Sequence, residues 1–326
     1  MTAELTKLAR TLDTTVAAVS FAAGLDRDDL RQLRDRISST LHDEHRAAYR
    51  GVAQATTLMP TALTAKVAEK VFPPLLSARI ARELSPEKAG ELAQRLSVDY
   101  LADICVRIDP RTVARLIGEV PVGKALAVAG ELVRRGEFLT IGRLLDAASD
   151  ELLRQVATAI TDDEALLEIG FYAESDDRLS RAVAALSPRR LRGVVAVAVT
   201  GPAELRSAGL GLMSRVDEDL RAMLVDLALE HDDRALAAMV RTAAEDGALV
   251  ELLLVASGMG AAARSRLPAM PALTDPALLV DLVESARRHD LWDRLRPLVA
   301  GLDPDARSFV EARARELGVW DRLAPA

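Results

Sequence analysis

The sequence predicts an all-α protein, a superhelix of short stacked helices with flanking helical regions, and three observations carry that prediction. Ala, Leu, Arg, Asp and Glu dominate a chain that is 50% apolar and 28% charged, while the alternation typical of strands is nearly absent. An apolar residue followed by a helix-starting signal recurs every 12 residues, at Leu84-Ser85-Pro86, Leu96-Ser97-Val98, Ile108-Asp109-Pro110 and Val120-Pro121-Val122. Near the end of the chain, Leu291-Trp292-Asp293-Arg294-Leu295 returns 28 residues later as Val319-Trp320-Asp321-Arg322-Leu323.

Taken in order, Leu25 to Gly51 reads as one long charged helix with Leu30, Leu33 and Ile37 on one side, suited to a surface or to pairing. From Gly51 to Ala81 the only charges are Lys66, Glu69, Lys70 and Arg79, and Met59-Pro60 and Phe72-Pro73-Pro74 divide the segment into short apolar helices. Burial beneath the N-terminal helix, a dimer or partner surface, and the mouth of an apolar pocket all fit it. Thr61 to Phe72 should be amphipathic, with Leu63, Val67 and Val71 as an inward stripe. The units from Leu84 onward place apolar residues at helical spacing, such as Leu101, Ile104 and Cys105. About nine residues per helix is too short to be stable alone, so these helices must stack on neighbours. Looser copies begin at Ser149-Asp150, Thr161-Asp162, Ser175-Asp176 and Ser187-Pro188, and Val194 to Val199, the one run with β character, reads as a buried helix. Amphipathic helices follow at Pro202 to Leu212, Asp217 to Leu229, Asp233 to Glu245, Gly247 to Ser257 and Asp275 to Arg288. Gly258-Met259-Gly260 and Pro268 to Pro271 mark a break between them. Three regions result: 1–83, a superhelix over 84–257, and C-terminal repeats over 258–326, where Trp292 and Trp320 anchor equivalent helices.

The segments beginning at Leu84 (LSPEKAGELAQRL), Ile108 (IDPRTVARLIGEV) and Leu186 (LSPRRLRGVV) resemble the cytoplasmic N-terminal superhelix of MgtE-type magnesium transporters, and distantly the FliG middle domain. The likeness covers about a third of the chain. It implies stacked short helices and, by analogy, an interaction or sensing role. Magnesium transport is not implied, since the transporter's other domains are not expected in these 326 residues.

Composition excludes several functions. A net charge of -7 disfavours nucleic acid and anionic lipid as general partners. A lone Cys105 rules out a disulfide framework and suits the cytoplasm, Met1 to Arg10 lacks the pattern of a signal peptide, and no apolar stretch is long enough to span a membrane. Asp99 and Asp103, a turn apart and near Asp109, could hold a hard cation, but Arg95 and Arg107 extend the same row and favour an ion-pair ladder. His42 and His45 could ligate a metal and His231-Asp232 suggests a phosphohydrolase, yet the chain offers only one further histidine, His289. The pairs Asp162-Asp163, Asp176-Asp177 and Asp232-Asp233 fit metal-binding acids of helical terpene synthases less well than helix starts, where acids meet the helix dipole. Arg189, Arg190 and Arg192, with Arg178 and Arg181, form a solvated basic face or a patch for an acidic partner. No phosphate loop or nucleophile elbow is present, and no catalytic residue, cofactor or metal is expected. The expected function is a non-catalytic protein-interaction or scaffold module, with a protein partner or a second copy. The alternative is a carrier of an apolar small molecule at a surface that includes Leu63, Val67, Val71 and Phe72.

Overall fold

The computed structural model describes residues 3–260 and 271–323, and helices account for every regular element among them. The chain divides into two compact units, Met1–Thr161 with Tyr172–Ser175, and Asp162–Phe171 with Asp176–Ala326. That division falls inside the 84–257 span expected as one superhelix. The expected break at Pro268 to Pro271 lies largely outside the described residues.

The first unit opens with α1 (Ala3–Thr11), a 3-10 turn (Ala17–Ala22) and α2 (Arg27–Asp43). Leu5, Leu8 and Ala9 of α1 close over Leu30, with Leu33 and Ile37 packed beside it, so the apolar side of α2 finds its partner within the chain. The long helix expected over Leu25 to Gly51 is two: α2 ends at Asp43, and α3 (Arg46–Thr57) starts after His45. Next come α4 (Thr61–Val71), α5 (Pro74–Ala81), α6 (Pro86–Arg95), α7 (Val98–Arg107), α8 (Pro110–Ile117) and α9 (Val122–Arg134). After them stand α10 (Phe138–Leu144), a 3-10 turn (Leu145–Ala147) and α11 (Asp150–Ala159).

The cap chemistry read from sequence is where helices begin. Ser85, Ser97 and Asp109 accept the backbone N–H of Lys88, Tyr100 and Arg111, and Pro86 and Pro110 occupy first turns, where no N–H is needed. Helices α6 to α9 therefore begin at residues 86, 98, 110 and 122. Each of these short helices packs on the next but one: α4 on α6, α5 on α7, α6 on α8, α7 on α9. Their shared core contains Ala53, Ala65, Ala78, Ile80, Leu92, Leu96, Tyr100 and Ile104. The inner side of the 51–81 segment thus packs against α6 and α7, and its α4 and α5 also meet α3, which begins within the helix expected over Leu25 to Gly51.

The second unit runs through α12 (Asp163–Tyr172), α13 (Asp176–Ala184), α14 (Pro188–Thr200), α15 (Ala203–Arg215), α16 (Glu218–Ala228), α17 (Asp233–Glu245) and α18 (Leu249–Ser257). It continues with a 3-10 turn (Pro271–Thr274), α19 (Pro276–His289), α20 (Trp292–Ala300), α21 (Pro304–Glu316) and α22 (Trp320–Leu323). The Val194 to Val199 run lies in α14, with Val194, Val195, Ala198 and Val199 buried. α14 and α15 approach so closely that a Cβ on Gly209 would stand 2.6 Å from the Ala198 Cβ, which is why glycine is needed there. Trp292 is buried, whereas Trp320 is half-buried with the Arg315 guanidinium 4.3 Å from its ring centre.

Candidate functional site

Helix α7 organises the centre of the first unit. Ser97 caps its first turn, and Leu101, Ile104 and Cys105 share one side at i, i+3 and i+4. That side borders two adjoining cavities. One, about 160 Å³, lies between the 51–81 segment, through Thr56, Thr64, Ala68, Phe72 and Ile80, and α6 to α8, through Leu92, Leu96 and Leu116. The other, about 140 Å³, lies among α7, α9, α10 and α11, where Val128, Leu132, Ile141 and Val156 form its walls. Leu101, Cys105, Ile117, Val120 and Leu144 belong to both.

The walls are apolar because their few polar groups are satisfied from behind. Thr56 donates to the Ala53 carbonyl at 2.7 Å and Thr64 to the Pro60 carbonyl at 3.3 Å, which leaves their methyl groups for the interior. The Tyr100 hydroxyl stands 2.8 Å from the Phe72 carbonyl and 2.9 Å from the Ala68 carbonyl, and can give its proton to either. Ser77, 2.7 Å away, then donates to it. This cluster ties α7 to both ends of the α4–α5 connection. Burial pushes the Cys105 thiol up to about 12, so the group between the cavities is a neutral, weakly polar thiol. Each space has room for a molecule about the size of benzene.

Behind α2 lies a feature with no counterpart in the sequence reading, a buried charge network. Arg34, 1% exposed, reaches Glu4 at 3.1 Å and Glu174 at 3.0 Å, and Lys7, fully buried, reaches Glu4 at 2.8 Å. Arg143 joins Glu174 at 3.2 Å. Arg27 and Arg31 donate to the Glu174 backbone carbonyl. Asp109 accepts from Ser38 and from Arg111, which also pairs with Asp35. Burial pushes the Glu174 carboxyl up, but the charges of Arg34, Lys7, Arg143 and Arg31 outweigh it and hold the group below the ordinary range. Burial likewise brings Lys7 down to about 8, against the pull of Glu4 and Glu174. Such a network needs several helices to converge, and residues 4, 34, 143 and 174 show no common spacing.

The residues singled out by sequence are dispersed. On α4 the expected inward stripe is turned: Thr64 and Ala65 are buried, while Leu63 and Val71 are 49% and 64% exposed and Val67 is half-buried. Of the four, Phe72 lines the larger of the two adjoining cavities, and Leu63, Val67 and Val71 line neither. The expected Arg95 to Arg107 ladder gives way to a crossing pair. Arg135, just past α9, reaches Asp99 at 3.0 Å and Asp103 at 2.7 Å, while Arg107 pairs with Asp13. His42 is buried against Glu83 rather than on a solvated face, and His45 is exposed. Among the described residues, no group of three or more His, Cys, Asp or Glu side chains could hold a metal ion. Asp162 and Asp232 accept first-turn N–H groups, as caps do. In the arginine patch Arg190 pairs with Asp163 at 2.8 Å, Arg192 approaches Glu230 at 3.8 Å, and Arg189 is exposed. No helix among the described residues is long and apolar enough to cross a membrane. Neither a family model, nor a curated protein, nor a solved structure matches this chain.

Proposed function

We propose that the protein is a non-catalytic helical-repeat binding protein of the cytoplasm, whose N-terminal unit carries an apolar small molecule between the 51–81 segment and α6 to α8. The adjoining cavities support this reading best, because their walls are aliphatic, their polar groups are already bonded, and a neutral thiol stands at their junction. Burial in such a space offers a ligand about 25 cal/mol per Å² of apolar surface and no competing water-filled polar site. A superhelical arrangement of each unit, as the MgtE-type resemblance implies, is supported by the packing of each short helix on the next but one.

The direct test is titration of the purified protein with the neutral fluorophore N-phenyl-1-naphthylamine, together with organic extraction and mass spectrometry of what co-purifies. Saturable binding is expected, and Cys105→Phe, which fills the junction, should abolish it while the fold still melts cooperatively. Absence of binding in the native protein, or equal binding in Cys105→Phe, would refute the carrier reading. One observation favours the scaffold reading as a second: Leu58, Leu63, Val71 and Leu75 are all exposed on the 51–81 segment, as a surface that pairs with a second copy would be.

A further inference from the structure

We infer that a separate cleft of the first unit, between α1, α2, α5 and the end of α7, binds a small oxyanion, the phosphate group of a compact phosphomonoester, through Arg79 and Arg82. The cleft measures about 260 Å³, and Arg10, Arg79, Arg82, Arg107 and Arg143 line it against only two acids, Asp13 and Asp109. Both acids are matched already. Asp109 accepts from Arg111 at 2.7 Å and from Ser38 at 2.9 Å, and the well-exposed Asp13 pairs with Arg107 at 3.3 Å. Arg10 and Arg143 are committed to Glu137 and Glu174.

The surplus therefore rests on α5 and the residue after it. Arg79 donates to the Leu41 carbonyl at 2.8 Å and to the Tyr49 hydroxyl at 3.3 Å, and makes no ion pair among the described residues. Among the described residues the half-buried Arg82 guanidinium has neither a hydrogen bond nor an ion pair; Asp109, Asp43 and Glu83 act on it only through space. Glu83 is itself committed to His42, Arg46 and Arg50. A half-buried guanidinium without a carboxylate partner keeps its donors free for an incoming dianion. His42, 3% exposed in the cleft wall, donates from Nε2 to Glu83 and leaves Nδ1 as an unpartnered acceptor, which can take the proton of a monoprotonated phosphate oxygen. Planar guanidinium groups bind phosphate oxygens in pairs, and two on successive turns of one segment suit a tetrahedral oxyanion better than a planar carboxylate.

The test is calorimetric titration of the full chain with inorganic phosphate at constant ionic strength, with sodium chloride and sodium acetate as controls. One saturable phosphate site at millimolar concentration is expected, weakened about tenfold or more in Arg82→Ala and in Arg79→Ala, and unchanged in Arg95→Ala, which lies outside the cleft. Because the Arg82 guanidinium makes no hydrogen bond or ion pair with the described residues, Arg82→Ala should melt little lower than the native protein in phosphate-free buffer. Arg82→Met, which keeps the aliphatic stem, repeats the comparison if the alanine variant proves unstable. Equal heats from acetate and phosphate, unaltered phosphate affinity in Arg82→Ala and Arg79→Ala, or a lowered Tm in Arg82→Met without phosphate would overturn the assignment.

Discussion

Asp290 holds a left-handed backbone conformation, φ 53°, at the end of α19, in the place that Gly136, Gly247 and Gly318 take at the ends of α9, α17 and α21. After each, the next N–H turns back to a helix carbonyl: Glu137 to Leu132, Ala248 to Ala243, Leu291 to Ala286, Val319 to Ala314. This closure satisfies a terminal carbonyl and redirects the chain into the following helix. Glycine adopts it freely, whereas a Cβ costs about 1 kcal/mol. Asp290→Gly should therefore stabilise the protein by about 0.5–1 kcal/mol, read from urea unfolding, since the exposed pair it loses with Arg322 contributes only a few tenths. Gly318→Asp, at the equivalent position of the 28-residue repeat, should lose a similar amount.

At the scale of elements, α4 shows how far periodicity reaches. Its sequence offers two apolar rows, Leu63-Val67-Val71 and the smaller Thr64-Ala65-Ala68, and hydrophobicity alone favours the larger one for the core. The helix turns the smaller row inward, where Ala65 joins the core beside Ala53, Ala78 and Ile80 and where Thr64 and Ala68 border the cavity with Phe72 and Tyr100. Leu63→Asp should consequently change unfolding free energy by no more than about 0.5 kcal/mol, while Ala65→Asp should lose several. Equal losses from the two, measured by urea unfolding, would mean that α4 is rotated from the orientation described. If the exposed row pairs with a second copy, Leu63→Asp should also convert an oligomer to a monomer in sedimentation.

For the whole molecule, two buried groups shape the alkaline stability profile in opposite directions. Lys7 has a folded pKa of about 8, below the ordinary 10.5, so its charged form burdens the fold at neutral pH and stability rises as pH increases above about 8. Cys105 has a folded pKa of about 12, above the ordinary 9.0, so its contribution is complete below 9 and is lost as pH climbs beyond that. Each group acts with a slope of at most about 1.4 kcal/mol per pH unit. Stability should rise from pH 8 to 9 and then level as the two slopes cancel. Lys7→Met should remove the rise, and Cys105→Ala should let it continue to about pH 10.5. Guanidinium unfolding of the three proteins across this range measures both effects. In acid, the carboxylates of Glu174, Asp109 and Glu83 are held below their ordinary values, so what they contribute is present at neutral pH and lost as pH falls through their folded values.

By itself the sequence determined the helical class and most helix starts, because caps and first-turn prolines act over three or four residues. Ser85, Ser97, Asp109, Ser187, Asp232 and Asp275 all cap the helices their neighbours announce. It did not show that α2 and α3 are separate, since the break at Glu44-His45 carries neither glycine nor proline. Only the tertiary structure decided which row of α4 is buried, which arginine answers Asp99 and Asp103, and that Glu4, Lys7, Arg34, Arg143 and Glu174 meet. It likewise decided that Leu101, Cys105 and Leu144 border cavities and that Arg82 stands in a cleft without a partner. These outcomes depend on the distance between helices remote in the chain. No local spacing encodes that distance, because packing and charge pairing are settled only once the helices have stacked.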